Sequence, residues 1–335
     1  PRRFGKTVMG NMIASFFGKS ENTEETFQIL EIAKSKDYKT YINKYNIIHV
    51  VFSEMPEECI SYKQYIKRIK KRLVRDLVQA YPDLQLDTED AVWDILKDIY
   101  EFGNRERFIF VLDEWDYIFH QNFMTEEDKK EHICFLSNLL KDKPYVLLAY
   151  MTGILPIAKY STGSGLNMFL EYTMITEEKF SDCFGFTEME VQQLYKRYED
   201  INQNKSVSKE GLQLWYNGYH TCLGERLYNP RSVVASLNNN RLGNYWTSSG
   251  PYDEIFYYVK HNIADIREDL AQMVAGFSVP AKVQEYAVSS MNLKTKNEIF
   301  SAMVVYGFLS YEKGYVSIPN KELMDKFNEM LRKED

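Results

Sequence analysis

Three consecutive residues near the start of the sequence, Gly5, Lys6 and Thr7, have the types needed to bind phosphate. Gly5 lets backbone amides approach phosphate oxygens, Lys6 can reach the β and γ phosphates, and the Thr7 hydroxyl can ligate Mg²⁺. The tripeptide matches the second half of the motif G-x-x-x-x-G-K-[ST], and an apolar helical stretch, 9–17, follows it. The first glycine of that motif, and the strand that feeds it, would lie before Pro1. Alone, the tripeptide also fits an ordinary helix start.

The residues that flank this tripeptide extend the candidate phosphate-binding segment. Arg3 lies within the loop and could contact a phosphate, but it could equally face the surface or a partner. Phe4 and Val8 lie on either side of the tripeptide. We therefore predict that the nucleotide-binding residues are Arg3, Phe4, Gly5, Lys6, Thr7 and Val8.

A pair of carboxylates, Asp113 and Glu114, follows an apolar run at 108–112. A buried strand that delivers two carboxylates at its end is what a Walker B site requires. Asp113 would hold Mg²⁺ through its water shell, and Glu114 would orient and deprotonate the attacking water. The pair alone also fits a polar strand end that opens a turn. Both motifs in this order along the chain predict ATP and Mg²⁺ as ligands and an ATPase as the enzyme class, with Lys6 and Glu114 as catalytic residues.

Three further polar residues lie on or near these strands. Thr152 follows an apolar run and could sense the γ-phosphate or the attacking water, which would make it a third catalytic residue, or it could bond its own backbone. Asp116 could hold the loop, but it is interpreted mainly as the cap of the helix that follows it. His49 is interpreted as a core histidine, and the five histidines show no metal-ligand spacing.

The elements that must position these residues alternate along the first half of the chain. Apolar, β-branched runs at 46–52, 108–112 and 144–150 predict buried strands, and helical patterns lie between them at 60–80 and 92–102. Such alternation predicts an α/β fold, a parallel sheet with helices on both faces. The helix at 60–80 has a basic face that could bind nucleic acid, although a solvated outer face is the commoner explanation.

Beyond residue 186 the composition changes to charged helices and aromatic, Asn/Gly-rich connections. Helical patterns at 296–308 and 321–331 flank a predicted hairpin whose turn is 312–314, which suggests a winged-helix module. The predicted domains are an ATPase core at 1–185, a helical, lid-like region at 186–260 and a winged-helix-like domain at 261–335.

Composition narrows the class of protein. With 44% hydrophobic and 27% charged residues the chain is an ordinary globular protein, and its net charge of −7 argues against nonspecific nucleic-acid binding over the whole surface. Four separated cysteines suggest neither a zinc site nor a disulfide framework, and no apolar run is long enough to span a bilayer. We therefore predict a cytoplasmic protein with no membrane partner.

Seven ordered segments together resemble the bacterial AAA-ATPase-like family. They cover most of the chain and include the two motifs discussed above; the ranges are 1–7, 112–116, 152–160, 184–191, 215–219, 228–234 and 244–247. The resemblance implies an ATPase core of the additional-strand type, in which the strand ending at Thr152 lies between the phosphate-loop strand and the strand ending at Asp113. It also favours ATP over GTP and makes a homo-oligomer one possible assembly.

Three features differ from many members of that family. Relatives often carry a nuclease-like domain of the PD-(D/E)xK superfamily, whereas residues 261–335 offer no matching carboxylate cluster. Trp115 also stands where relatives usually have Tyr, and 161–167 departs from the family pattern. The differences at Trp115 and at 161–167 do not touch the phosphate chemistry.

These observations predict an ATP-driven switch in which hydrolysis changes the mutual orientation of the α/β core and the C-terminal parts, and a nucleic-acid or protein partner of the C-terminal half detects the change. One alternative is a nucleotide-binding regulator that binds DNA and barely hydrolyses ATP. A second alternative is a scaffold with a decayed phosphate loop.

Overall fold

The computed structural model describes residues 1–157, 165–175, 177–246, 263–283 and 295–332. The chain divides into two compact units. The core unit comprises Lys6–Gly153 and Ile157–Leu170, and the C-terminal unit comprises Pro1–Gly5, Ile154–Pro156 and Glu171–Asp335. None of the described helices is both long and apolar enough to cross a membrane.

The core unit contains a parallel three-stranded sheet. Its strands are β1 (Asn46–Val51), β2 (Phe108–Asp113) and β3 (Val146–Met151), in the order β1-β2-β3. Every residue of β2 is buried, because the strand lies between two neighbours and is covered on its faces. The prediction of three parallel strands is confirmed, with ends that differ by at most two residues.

Helices and short helical turns surround this sheet. The helices are α1 (Lys6–Phe17), α2 (Glu24–Phe27), α3 (Tyr38–Tyr41), α4 (Tyr62–Ala80), α5 (Val92–Phe102) and α6 (Glu126–Leu140), and 3-10 turns lie at Glu31–Lys34 and Tyr117–His120. Side-chain caps fix the starts of the two longest, α4 and α6. Ser61 caps α4 through the amide of Gln64, and Thr125 and Asp128 form a capping box at α6.

The direction of α1 follows from two contacts with the sheet. At its end, Gly18 forms a bridge with Tyr45, just before β1 begins. In its first half, a side-chain carbon on Gly10 would lie 3.3 Å from Cγ1 of Val111, near the end of β2. Helix α1 therefore runs antiparallel to the strands, and its first residue, Lys6, lies toward the edge at which the strands end.

Two details of the sheet differ from expectation. The prediction that His49 is a core histidine is wrong, because its side chain is exposed; the residues of β1 alternate, and the buried ones are Ile48 and Val50. In β3, Leu147 and Leu148 are 42% and 46% exposed. Within the described part of the chain, β2 is therefore fully buried, whereas β3 is buried only in part.

The C-terminal unit begins with a helical group: α7 (Glu188–Ile201), α8 (Lys209–Tyr216) and α9 (Pro230–Asn238). A two-residue antiparallel pair, β4 (Tyr219–His220) and β5 (Arg226–Leu227), lies between α8 and α9. The buried core of the group is rich in tyrosine and aliphatic residues: Val191, Tyr195, Tyr198, Val207, Leu212, Tyr216, Tyr228, Val233 and Leu237.

The rest of the unit contains α10 (Ile263–Val274), β6 (Val279–Pro280), α11 (Lys296–Tyr306), β7 (Ser310–Glu312), β8 (Tyr315–Ser317) and α12 (Lys321–Arg332). The three strands form an antiparallel sheet in the order β6-β8-β7. The predicted succession of helix, hairpin and helix is confirmed. The winged-helix assignment and the domain boundaries at 185 and 260 remain predictions.

Candidate active site

The carboxylate of Asp113 is buried at the end of β2, with 1% of the residue exposed. Its Oδ1 accepts a hydrogen bond from the hydroxyl of Thr152. Its Oδ2 is buried and has no hydrogen-bond partner among the described residues. A buried carboxylate oxygen without a partner is costly, and such an oxygen is the kind of ligand that Mg²⁺ prefers. The residues present therefore fit a bound divalent cation.

Thr152 connects β3 to the turn that follows β2. Its hydroxyl donates to Asp113 and accepts from the backbone amide of Glu114 at 3.2 Å. Its carbonyl accepts from the amide of Trp115 at 3.0 Å, and its amide donates to the carbonyl of Leu112 at 2.9 Å. The alternative prediction, a hydroxyl bonded to its own backbone, is not what the structure shows. A contact between Thr152 and a γ-phosphate remains a prediction.

Glu114 has a left-handed backbone, with φ of +55°. That conformation costs a residue other than glycine on the order of 1 kcal/mol or more, and it persists only where the surroundings enforce it. Here the Glu114 amide is bonded to Thr152, and the Glu114 carbonyl accepts from Tyr117 at 2.9 Å. The side chain that we predict to be the catalytic base is thus carried by a strained, tightly bonded turn.

Asp116 is buried, and its side chain makes no capping bond to the 3-10 turn Tyr117–His120. The capping interpretation of Asp116 is therefore wrong. A side-chain carbon on Gly153 would lie 2.8 Å from Oδ1 of Asp116 and 2.3 Å from Nε1 of Trp115. The turn after β2 therefore packs directly on the backbone at Gly153, which leaves no room for a larger residue.

The predicted phosphate loop leads directly into α1. Gly5 has φ of +93°, a conformation that favours glycine, and α1 begins at the next residue, Lys6. Thr7 and Val8 in the first turn are exposed. Because α1 runs antiparallel to the strands, its start lies toward the same edge of the sheet as Asp113. Free amides at a helix start favour bound anions.

Arg3 and Phe4 are held by other residues of the C-terminal unit. A guanidinium nitrogen of Arg3 donates to the carbonyls of Tyr245 and Trp246, and Arg3 has φ of +67°. The Phe4 ring is buried and packs edge-on against Tyr219, with ring centroids 4.8 Å apart. A nucleotide would therefore meet Phe4 through its backbone rather than its ring.

Sequence analysis missed His132, a residue of α6 that contacts the turn after β2. Its Nε2 lies 3.0 Å from the carbonyl oxygen of Trp115, and its Nδ1 lies 3.4 Å from the hydroxyl of Tyr62. Complete burial lowers the pKa of His132 to about 4, so the ring is neutral at neutral pH. The capping box at the start of α6 indicates a helix in the sequence, but no local pattern indicates this contact.

A helix that starts at Lys6, directly after Gly5, together with a buried carboxylate toward the same edge of a parallel sheet, is the arrangement of phosphate-loop nucleotide-binding proteins. Residues 1–162 match the model of the AAA-ATPase-like family, which is described as a predicted AAA-ATPase. This assignment supports ATP binding and hydrolysis in general terms.

Other comparisons are less informative. A search of curated proteins finds no match to this chain. Among solved structures, the Walker-type ATPase of Pyrococcus abyssi matches with 12% identity and a TM-score of 0.46, covering 90% of this chain and 88% of that one. Of the segments that carry the resemblance, 158–160 and Thr247 lie outside the described residues, as does 161–164 of the divergent segment.

Proposed function

We propose that this protein binds ATP with Mg²⁺ and hydrolyses it, and that hydrolysis drives a conformational change that a partner detects. The observation that carries the proposal is the state of Asp113. One of its oxygens is held by Thr152, and the other is buried without a partner at the edge toward which α1 points its first residue. The match of residues 1–162 to the model of a predicted AAA-ATPase family supports the same conclusion.

Each residue of the proposed site has a separate task. The backbone around Gly5 and the start of α1 would hold the phosphates, with Arg3, Phe4 and Val8 as neighbouring contacts. Lys6 would neutralise charge on the β and γ phosphates, and Thr7 and Asp113 would hold the cation. Bound Mg²⁺ would supply charge neutralisation between these phosphates.

Glu114 would accept a proton from the attacking water and orient it toward the γ-phosphate. Its backbone is fixed by Thr152, so that the carboxylate is positioned before the nucleotide arrives. Thr152, through its bond to Asp113, would fix the position of the base Glu114 relative to the cation ligand Asp113.

The first experiment compares Mg²⁺-dependent ATP hydrolysis and direct ATP binding in the wild type and Glu114→Gln. We expect Glu114→Gln to bind ATP with unchanged affinity and to lose at least about a hundredfold in kcat. Glu127→Gln, at an exposed residue that pairs with Lys130 on the surface, is the matched control and should behave as the wild type. Equal hydrolysis by Glu114→Gln and the wild type would remove Glu114 from the mechanism.

Two further variants separate binding from the conformational change. Lys6→Ala should lose ATP binding, and Asp113→Asn should lose the dependence of binding on Mg²⁺. If ATP drives the change, hydrogen exchange in the C-terminal unit should respond to ATP in Glu114→Gln and should not respond in Lys6→Ala. A Lys6→Ala chain that still responded normally would contradict the proposed switch.

A second candidate, nucleic-acid binding, is favoured by three lysines on α4. Lys63, Lys67 and Lys71 are exposed at four-residue intervals and make no ion pair within the described part of the chain, whereas Arg72 and Arg75 pair with neighbouring carboxylates. Four residues of helix span about 6 Å, so the lysines form one stripe. Changing all three to Gln should reduce the salt dependence of DNA binding. If the wild type binds no DNA, or if this change leaves DNA binding unaffected, the three lysines are not a nucleic-acid-binding surface.

A further inference from the structure

Buried contacts from several elements fix the turn after β2, residues 113–116. On the β1 side, the amide of Phe52 donates to the carbonyl of Asp113 at 2.9 Å. The hydroxyl of Tyr65 in turn donates to the carbonyl of Phe52 at 2.7 Å. On the β3 side, Thr152 bonds Asp113 and Glu114. These contacts fix the start of the turn.

Near the other end of the turn, the amide of Trp115 donates to the carbonyl of Thr152 at 3.0 Å, and a buried ring contacts the carbonyl of Trp115. His132 is entirely buried, and its Nε2 lies 3.0 Å from the carbonyl oxygen of Trp115, the residue after Glu114. Since a carbonyl oxygen only accepts, Nε2 must carry the proton in this contact. Nδ1 is then the acceptor, and the hydroxyl of Tyr62, 3.4 Å away, is its donor.

The surroundings hold the ring in this orientation. His132 lies edge-on to Phe52 and Phe119, with ring centroids 5.3 Å and 5.5 Å away, and edge-on to Tyr62 at 5.8 Å. A ring packed among aromatic side chains has little freedom to rotate. Its hydrogen bond therefore fixes the position of the Trp115 carbonyl.

We propose that His132 is a positioning residue for Glu114: as a neutral imidazole protonated at Nε2, it holds the peptide group between Trp115 and Asp116 and so fixes the second half of the turn that carries the catalytic carboxylate. The proposal rests on the proposed ATPase function. The Trp115 carbonyl belongs to the peptide between Trp115 and Asp116, so without this bond that peptide can rotate. The turn then loses a restraint one residue beyond Glu114. The carboxylate would then leave its place relative to the γ-phosphate, while the phosphate loop would remain intact.

Two substitutions of His132 test this in the full chain. His132→Leu removes the donor at similar size, and His132→Gln keeps an amide N–H that can reach the same carbonyl. We expect His132→Leu to lower kcat about tenfold to a hundredfold with the dissociation constant of ATP changed less than about twofold. His132→Gln should recover most of kcat. Equal losses of kcat in the two variants, or a parallel loss of kcat and ATP affinity in His132→Leu, would overturn the proposal.

A pair of tyrosine variants decides the matter if His132→Leu fails to fold. Tyr62→Phe removes the hydroxyl that faces Nδ1. Tyr145→Phe removes another buried hydroxyl of the core unit, which donates to the carbonyl of Leu139 at 2.7 Å and has no bond to the turn. Only Tyr62→Phe should lower kcat. Equal kcat values for the two would contradict a role of the ring in catalysis.

A third measurement does not depend on hydrolysis. The ring ¹⁵N shifts of His132 in the nucleotide-free chain should report a neutral imidazole with its proton on Nε2. A proton on Nδ1, or a charged ring at neutral pH, would overturn the proposal even in an active chain. A wild type that binds and hydrolyses no ATP, with the Nε2–H form present, would instead contradict the proposed function and leave the geometry of His132 in place.

Discussion

Asp113 and Thr152 are 39 positions apart in the sequence, and their side chains share a hydrogen bond at the edge of the sheet. The hydroxyl of Thr152 has two tasks, because it also accepts from the amide of Glu114. It therefore determines which oxygen of Asp113 remains available and where the backbone of Glu114 begins its turn. A single hydroxyl links the predicted cation ligand with the predicted base.

Thr152→Val removes this hydroxyl and keeps the shape of the side chain. It leaves Oδ1 of Asp113 and the amide of Glu114 without their partner, which should lower the free energy of unfolding by about 2 kcal/mol. We expect kcat for ATP hydrolysis to fall about tenfold. Thr152→Ser keeps the hydroxyl and should retain both the free energy of unfolding and the kcat of the wild type. Urea unfolding and steady-state kinetics measure these effects. A Thr152→Val chain with normal kcat would show that the bond has no catalytic consequence.

Acid should destabilise the core unit through His132. Burial lowers the pKa of this residue from 6.5 to about 4, so the unfolded chain takes up the proton first as pH falls. The stability gained from the neutral ring is complete above about pH 6.5 and is lost as pH falls toward 4. Between pH 7 and pH 5 the loss is about 2 kcal/mol.

The comparison of wild type and His132→Gln by urea unfolding at pH 7 and pH 5 isolates this contribution. Carboxylates titrate in both chains, and burial raises the pKa values of the neighbouring Tyr62 and Tyr65, which remain neutral throughout this range. The wild type should therefore lose more stability than His132→Gln on acidification. Equal losses would mean that the folded chain protonates His132 as readily as the unfolded chain does.

Sequence alone predicts residue types at this site better than the bonds among them. Asp113, Glu114 and Thr152 could be selected because each follows an apolar run. The bond of Thr152 to Asp113 and the contact of His132 with Trp115 depend on the pairing of distant segments, which no local pattern encodes. His49 was misassigned because an apolar run was interpreted as buried on both sides, whereas the side chains of β1 alternate between buried and exposed.

At the scale of elements, the site depends on how closely α1 and the two strand ends approach one another. Gly10 allows α1 to lie against Val111, and Gly153 allows the turn after β2 to pack on the end of β3. The sequence predicts the strands and long helices well because apolar runs and caps are local features. The helices α2 and α3, four residues each, were not predicted, since so few residues show no periodicity.

Gly153→Ala tests the packing at the strand ends. The added carbon would lie 2.3 Å from Nε1 and 2.5 Å from Cδ1 of Trp115, so the indole and the turn that carries Glu114 must shift. We expect a loss of about 1 to 3 kcal/mol in stability and a clear fall in kcat. Gly243→Ala is the control, because its added carbon would have no neighbour closer than 3.9 Å. Similar behaviour of the two variants would mean that the turn tolerates displacement.

At the scale of the whole molecule, the predicted phosphate loop has its first residues in one compact unit and its helix in the other. Pro1–Gly5 cluster with the C-terminal unit, and α1 belongs to the core unit. Within the C-terminal unit, the guanidinium of Arg2 lies 5.1 Å from the ring centroid of Tyr306, and the indole of Trp246 donates to the Arg2 carbonyl at 3.4 Å. The conformation of the loop's first residues therefore depends on contacts with residues about 240 to 300 positions away in the sequence.

Glu322, at the start of α12, supports this arrangement from a buried position. Its Oε1 accepts from the amides of Tyr245 and Trp246, at 2.6 Å each, and both carboxylate oxygens accept from the hydroxyl of Ser232. Burial raises the pKa of Glu322 in spite of these bonds. The same two residues, 245 and 246, present their carbonyls to Arg3. One carboxylate thus orders the peptide groups that hold an arginine of the predicted loop.

Glu322→Ala should therefore affect both stability and nucleotide binding. It removes the acceptor of the Tyr245 and Trp246 amides, at a cost of about 3 kcal/mol, and releases the segment that holds Arg3, so that ATP affinity should fall several-fold. Glu322→Gln keeps a carbonyl oxygen for both amides and should lose less than about 1 kcal/mol with near-normal affinity. Glu329→Ala, on the exposed face of the same helix, controls for the loss of a carboxylate from α12. A Glu322→Ala chain that is destabilised yet binds ATP normally would show that Arg3 and its anchor belong to the fold of the C-terminal unit and take no part in the nucleotide site.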